Sequence, residues 1–441
     1  MFSFDIFSFL VYNCCIMNKQ TEGDLSIEVP VKAGSELNFG GLGIAPKLLD
    51  IISKLGFTTP TSIQHKAIAP AIEGKDIIGI AQTGTGKTLA FGIPLVQQLL
   101  KAGKGKGLII LPTRELAIQV EETIRKIGRD FGIKTAVLIG GASMYNQVYS
   151  LRNNPHVVIG TPGRIIDHIQ QRTLNLSDVT NLVLDEADRM FDMGFAPQIK
   201  KILEVVPKNR QTMLFSATMP DGIVKIASVH MKLPVRVEIA RPGTTAEKVE
   251  QELFVVKKDQ KLALLKKLLG DYKGSVLVFI RVKHSARKIC DNLRAIGVSA
   301  AEIHSNRSLN QRKEALEGFK TGRFRVLVAT DIASRGIDVK NIELVINFDL
   351  PENAEDYVHR IGRTGRAGMS GKAISFAMPE QGQMIRDIER LTRIYLPISK
   401  IPDLSAHMNK VASVPERYEK HNYSQRGGRP SNRFGHAKRR Y

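Results

Sequence analysis

Along most of the chain, short runs of Val, Ile and Leu alternate with longer amphipathic stretches. The runs lie at 76–80, Gly107–Leu111, Thr135–Ile139, Val157–Ile159, Leu182–Leu184 and Met213–Phe215. After a break they resume at Val276–Ile280, Val326–Ala329 and Leu344–Asn347. Each run is continuously apolar instead of alternating, which predicts strands covered on both faces. Helical spacing between the runs predicts βαβ units and parallel sheets. The break is Arg241-Pro-Gly-Thr-Thr-Ala246, where Pro and Gly interrupt any helix and small polar residues have little to bury. The pattern therefore predicts an α/β protein with two domains, each a mostly parallel sheet flanked by helices. The first spans 37–240, a linker 241–247, and the second 248–400.

Neither end carries a period. Residues 1–36 read as a leader, disordered or lying upstream of the true start. Its first 17 residues are apolar but short, and Asp5 stands where a signal peptide carries a cation. Met17 is the expected first residue of the protein, with a hydrophobic targeting segment as the alternative. Residues 401–441 read as a disordered basic tail. From Glu416 onward it holds eight Lys/Arg against two Glu, with Tyr418, Tyr423, Phe434 and Tyr441 interleaved.

Composition sharpens this picture. A chain of 441 residues exceeds what one core fills. Lys and Arg number 64 against 43 Asp and Glu, a net charge of +21 that points to a polyanionic partner, usually nucleic acid. A generally basic, soluble surface produces the same number. Three cysteines, Cys14, Cys15 and Cys290, exclude a disulfide framework or a cysteine zinc site in the body and fit a reducing cytoplasm.

Two segments carry chemistry. Ala81-Gln82-Thr83-Gly84-Thr85-Gly86-Lys87-Thr88 follows an apolar run and has the form of a phosphate loop. Gly84 and Gly86 let backbone N–H groups approach phosphate, Lys87 supplies a point charge, and the Thr88 hydroxyl can ligate Mg²⁺. Ala81 stands where the strict formula wants Gly. The second segment, Asn181-Leu-Val-Leu-Asp-Glu-Ala-Asp188, is an apolar run ending in acids. Asp185 suits an outer partner of the metal, reached through water, and Glu186 can polarise an attacking water. Each segment also has a bland reading, a Gly-rich turn and an Asp cap. Their co-occurrence in one α/β domain favours a site that binds a nucleoside triphosphate with Mg²⁺ and cleaves it.

Read in order, these and the remaining motifs resemble the DEAD-box ATP-dependent RNA helicases, of the bacterial RhlE type, over residues 37–400. The resemblance implies two tandem RecA-like domains closing on ATP and RNA. Gly56-Phe57-Thr58-Thr59-Pro60-Thr61-Ser62-Ile63-Gln64 resembles the Q motif, whose Gln64 would read the adenine edge. Phe39 resembles the family's isolated aromatic that stacks near adenine, the alternative being a hydrophobic anchor. An Ala at position 81 is usual in the family. Ser216-Ala217-Thr218 resembles the motif that couples hydrolysis to strand separation. Pro112-Thr113-Arg114, Gly140-Gly141 and Thr161-Pro162-Gly163-Arg164 would contact the RNA backbone, and such contacts follow a strand of any sequence. In the second domain, Thr330 would touch RNA and Asp338 the ribose. His359 would bridge motifs, and Arg363 and Arg366 would act as arginine fingers, which elsewhere are worth about 10³–10⁵ in rate.

Two positions depart from the family pattern. Leu309 replaces the Gln of the Gln-x-x-Arg element while Arg312 is kept, and Ile280 stands where many relatives carry Ser or Thr. The expected cofactors are ATP and Mg²⁺. The expected partners are single-stranded or duplex RNA and proteins of ribosomal-precursor or RNA-decay complexes, with no membrane. A monomer in the cytoplasm is expected, oligomerisation through the tail being left open. Rival readings are a DNA-directed translocase on the same core and an ATP-dependent RNA clamp.

Overall fold

The structure, a computed structural model, describes residues 38–82, 84–239, 249–331, 339, 342–365 and 371–404. The readings of 1–36, 241–247 and the tail beyond 404 therefore lie outside the described residues.

The first sheet has seven strands: β1 (Ile77–Ile80), β2 (Lys106–Ile110), β3 (Thr135–Leu138), β4 (Val157–Gly160), β5 (Val179–Leu184), β6 (Gln211–Ser216) and β7 (Val235–Glu238). Their order is β3-β4-β2-β5-β6-β1-β7, and every pairing is parallel. The second sheet has β8 (Val249–Val255), β9 (Val276–Phe279), β10 (Ala300–Ile303), β11 (Val326–Ala329), β12 (Leu344–Asn347) and β13 (Gly371–Ala377). Its order is β10-β11-β9-β12-β13-β8, again all parallel.

Helices cover both faces of each sheet, and this explains the continuous apolar runs. In β5, Val183 enters one core layer while Leu182 and Leu184 enter the layer behind it. In β9, Leu277 and Phe279 point one way and Val276 and Val278 the other. Both sides of strands such as β1, β4 and β9 are dry, so no polar alternation survives there. At Gly79 an added Cβ would lie 2.4 Å from the Phe215 ring. The missing side chain lets that ring cross β1 and meet Phe91, 5.5 Å away between centroids.

Four strands escaped the apolar-run reading. β7 and β8 lie at sheet edges; β7 alternates Val with Arg and Glu, and β8 opens with Val-Glu-Gln-Glu before any apolar run. β10, also an edge strand, is built on two alanines. β13 is internal but carries Gly371, Lys372 and Ser375. Residues 401–404, expected to open the tail, belong instead to the second lobe. Residues 397–399 bond to Leu253 of β8, and Leu404 is buried in the second core. Leu404 follows Pro402 and Asp403, where no strand or helix pattern marks it as core.

Candidate active site

Both sheets end, at the carboxyl edges of their strands, in the segments that the sequence singles out. After β1 the chain enters the phosphate loop and then the helix Lys87–Ala102. Gly84 and Gly86 have φ of +87° and +90°, a left-handed backbone that only glycine adopts without strain. At Gly86 a side chain would also collide with Gln64, since an added Cβ would lie 2.4 Å from Gln64 Nε2. Gln64 accepts from Thr61 N through Oε1 at 2.8 Å and donates from Nε2 to the Gly86 carbonyl at 3.0 Å. It thereby ties the start of helix Ser62–Ile72 to the loop. One N–H and one acceptor lone pair of its amide remain for a base edge.

Lys87 is buried, donates to the Ala81 carbonyl at 3.0 Å and lies 3.9 Å from Asp185 Oδ1. Thr85 Oγ1 donates to the Gln82 carbonyl at 2.7 Å. Thr88 is half-buried in the first helical turn. Thr83 lies outside the described residues.

Asp185 follows β5 directly. Complete burial pushes its carboxyl up to about 6, against the pull of Lys87. Glu186 has φ +53° and ψ +49°, a left-handed conformation in a non-glycine residue, and its N–H bonds Asp185 Oδ1 at 2.9 Å. Such strain costs about 1–3 kcal/mol and concentrates at functional sites. The Glu186 carboxylate accepts from Arg189 Nη1 at 3.0 Å, with side chains only 4% and 2% exposed. Arg189 was not singled out from the sequence, although its three-residue spacing from Glu186 on a helix start permits the pair.

Asp188 is the hub. Its Oδ2 accepts from Ala217 N and Thr218 N, both at 2.9 Å, and from Thr218 Oγ1 at 3.2 Å, while its own N–H donates to Ser216 Oγ at 3.1 Å. Burial alone would raise its carboxyl. The charges of His359, Lys87 and Arg189 and the Thr218 N–H outweigh burial and hold it below the usual carboxylate range. His359 belongs to the second lobe, in helix Ala354–Ile361, so that lobe faces the acidic box. Arg363 is buried just past this helix, whereas Arg366 and Asp338 lie outside the described residues. Arg360 in the same motif is a structural anchor. It forms a two-pronged pair with Asp331 at 2.6 and 2.7 Å and also donates to Asn347 and the Asp349 carbonyl.

Phe39 differs from the stacking expectation. It is 4% exposed and packs into the first core with Leu42, Ile44 and Leu48, as a hydrophobic anchor would. Phe57 is the aromatic of this region that stays at the surface.

Beyond β2, β3 and β4 three loops converge. Pro112 is buried and Thr113 Oγ1 accepts from Leu116 N, capping helix Arg114–Gly128. The Arg114 guanidinium lies against Gly140 and Gly141, where added Cβ atoms would sit 3.1 and 2.3 Å from its nitrogens. Thr161 and Pro162 start helix Pro162–Gln170, Gly163 is open, and Arg164 Nη1 donates to the Ala142 carbonyl at 3.3 Å. Thr330 stands half-buried at the end of β11, bonded to the Ile303 carbonyl. Ile280 is buried in the second core, so its side chain offers nothing to a ligand.

Among the described residues, no three His, Cys, Asp or Glu gather as a metal cage. The Asp185 carboxylate and Thr88 hydroxyl are hard oxygen donors and fit a Mg²⁺ that takes its other ligands from phosphate and water. No helix among them is long and apolar enough to cross a membrane.

Fold and site together define a nucleotide-driven protein built from two parallel-sheet lobes. The sequence model of the DEAD/DEAH box helicases matches residues 61–226, and that of the helicase conserved C-terminal domain matches 260–368. The chain belongs to the DEAD-box helicase family. The ATP-dependent RNA helicase CshA of Listeria monocytogenes is 44% identical over 80% of this chain and 69% of that protein. Saccharomyces cerevisiae Dbp5 bound to RNA and ADP BeF3 superposes with a TM-score of 0.74 at 29% identity, over 83% of this chain and 96% of that one. A DEAD box protein from Methanococcus jannaschii, 39% identical over 82% of this chain and 99% of that one, gives a TM-score of 0.51.

Proposed function

We propose that this protein is an ATP-dependent RNA helicase that opens short RNA duplexes or remodels RNA–protein complexes through RNA-stimulated ATP hydrolysis. The observation that carries this reading is the hub at Asp188. One carboxylate is bonded to 217–218 and lies within the electrostatic reach of Lys87 and of His359 from the other lobe. A change at the triphosphate therefore has a short route both to the 216–218 strand end and to the second lobe.

In this reading Gln64 orients the base, with Phe57 beside it, and Ala81–Thr88 cradles the phosphates through backbone N–H groups and Lys87. Mg²⁺, bound at Asp185 and Thr88, would neutralise phosphate charge. Glu186 orients the water and accepts its proton, for which its carboxylate must turn away from Arg189. Arg363 and Arg366 reach the γ-phosphate when the lobes are closed, so turnover depends on the strand that draws them together. Arg114, the Gly140-Gly141 backbone, Thr161, Arg164 and Thr330 hold phosphate and sugar along that strand. The RhlE type, protein partners in ribosomal-precursor or RNA-decay complexes, a monomeric state and a cytoplasmic location complete the reading. They rest on the motif series and the single body cysteine.

The test compares ATPase stimulation by RNA and by DNA of equal sequence, with duplex separation measured alongside. RNA-specific stimulation and unwinding are expected, and Glu186→Gln should bind ATP and RNA without turning over. Equal stimulation by DNA would instead support the translocase. RNA binding that needs ATP but never opens a duplex would support the clamp.

A further inference from the structure

The departure at 309 lies on helix Leu309–Lys320 of the second lobe. Leu309 is half-buried and packs against the apolar core cluster of the first lobe. One turn along the same helix, Arg312 Nη2 lies 2.6 Å from Glu115 Oε2 across the lobe boundary, with side chains 8% and 5% exposed. Glu115 is the neighbour of Arg114, whose guanidinium covers Gly140 and Gly141. The helix therefore grips the first lobe beside the loops proposed to hold RNA.

We propose that Leu309 is a positioning residue, an apolar catch that stabilises the closed arrangement of the lobes and sets how much RNA is needed to reach it. The proposal rests on the helicase reading above. A glutamine at this position could donate and accept across the boundary, whereas leucine can do neither. Glu115 Oε1, Gln119 Nε2 and Arg312 Nε are buried there with no hydrogen-bond partner. Glu115 and Gln119 stand one turn apart on helix Arg114–Gly128. Separation of the lobes would rehydrate these atoms and favour opening. Leu309 acts in the opposite sense, because opening returns its apolar surface to water. The catch is consequently shallow and reversible. It should be indifferent to salt, unlike a grip made of exposed charges.

The experiment measures RNA-stimulated ATPase and, by energy transfer between dyes on the two lobes, closure with RNA and a non-hydrolysable ATP analogue. Leu309→Asn should raise the RNA concentration for half-maximal ATPase and for closure by about 5–30-fold, the equivalent of losing part of one leucine's burial. The shift should be the same at low and high salt after each is referred to wild type. ATP affinity without RNA, maximal turnover and melting temperature should stay at wild-type values, and Leu309→Met should behave as wild type. An unchanged half-saturation, or a fall in maximal turnover alone, would overturn the catch. Absence of RNA stimulation in the wild type would sink the helicase reading itself, which keeps the two failures distinct.

Discussion

Arg189 is the partner that keeps the Glu186 carboxylate satisfied in a site almost closed to solvent, and its removal provides a quantitative check. In Arg189→Met the aliphatic stem survives while the charge and its 3.0 Å hydrogen bond are lost. Deleting one member of a buried ion pair costs about 3–5 kcal/mol, because the remaining charge stays desolvated. Removing both charges costs far less, since neither group is then stranded. Arg189→Met should therefore lower the unfolding free energy of the first lobe by about 3–5 kcal/mol. The double variant Arg189→Met/Glu186→Gln should recover at least half of that loss. Urea unfolding of the four proteins, read by a probe in the first lobe, closes the cycle. If the two single effects simply add, or if Arg189→Met costs under about 1 kcal/mol, the pair is not the buried, mutually dependent unit described here.

Three further outcomes are expected. Gly86→Ala combines left-handed strain of about 1–3 kcal/mol with displacement of the Gln64 amide. Nucleotide titration should show ATP affinity falling at least tenfold, and by less in a Gln64→Ala background, where the Gln64 collision is gone and only the Thr61 hydroxyl, 3.1 Å away, stays close. Asp185 has a folded pKa of about 6, above its ordinary value of 3.8, so its protonated form dominates in acid. This group therefore favours the fold at low pH, and that contribution is lost as pH climbs from about 4 to 6. ATP turnover, which needs the ionised ligand, should show an acid limb near 6, and tenfold more Mg²⁺ should move the limb to lower pH; a limb indifferent to Mg²⁺ would argue against Asp185 as ligand. Deleting residues 416–441 should flatten the log–log salt dependence of RNA binding by about 0.7 for each phosphate that the segment neutralises, whereas an unchanged slope would leave the segment as a solubilising tail.

Much of this molecule could be read from its residues, for a physical reason. Strands dry on both faces write themselves as apolar runs, and phosphate loops demand glycine at fixed spacing, so β1, β2, β5 and Ala81–Thr88 stood out. β7, β8, β10 and β13 did not, because edge strands tolerate Arg236 or Glu250, and alanine or serine inside a sheet carries no period. The roles of single side chains were legible only where chemistry restricts them. Gln64 as a clamp on Gly86, Arg189 behind Glu186 and Arg312 against Glu115 depend on distances in space. Of these, only the Glu186–Arg189 spacing left a trace in the sequence. Phe39 could be assigned either way until its surroundings were known.

The first sheet's order has a bearing on how such a protein could diversify. Loops leaving β3, β4 and β2 occupy one flank, those leaving β5, β6 and β1 the other, and the pair β2–β5 is the seam between them. On the proposed assignment, polymer contacts gather on the first flank and fuel chemistry on the second, so exchange of surface loops on one would leave the other in place. A change that disturbs the register along Gly107–Ile110 and Asn181–Leu184 would reach both flanks at once.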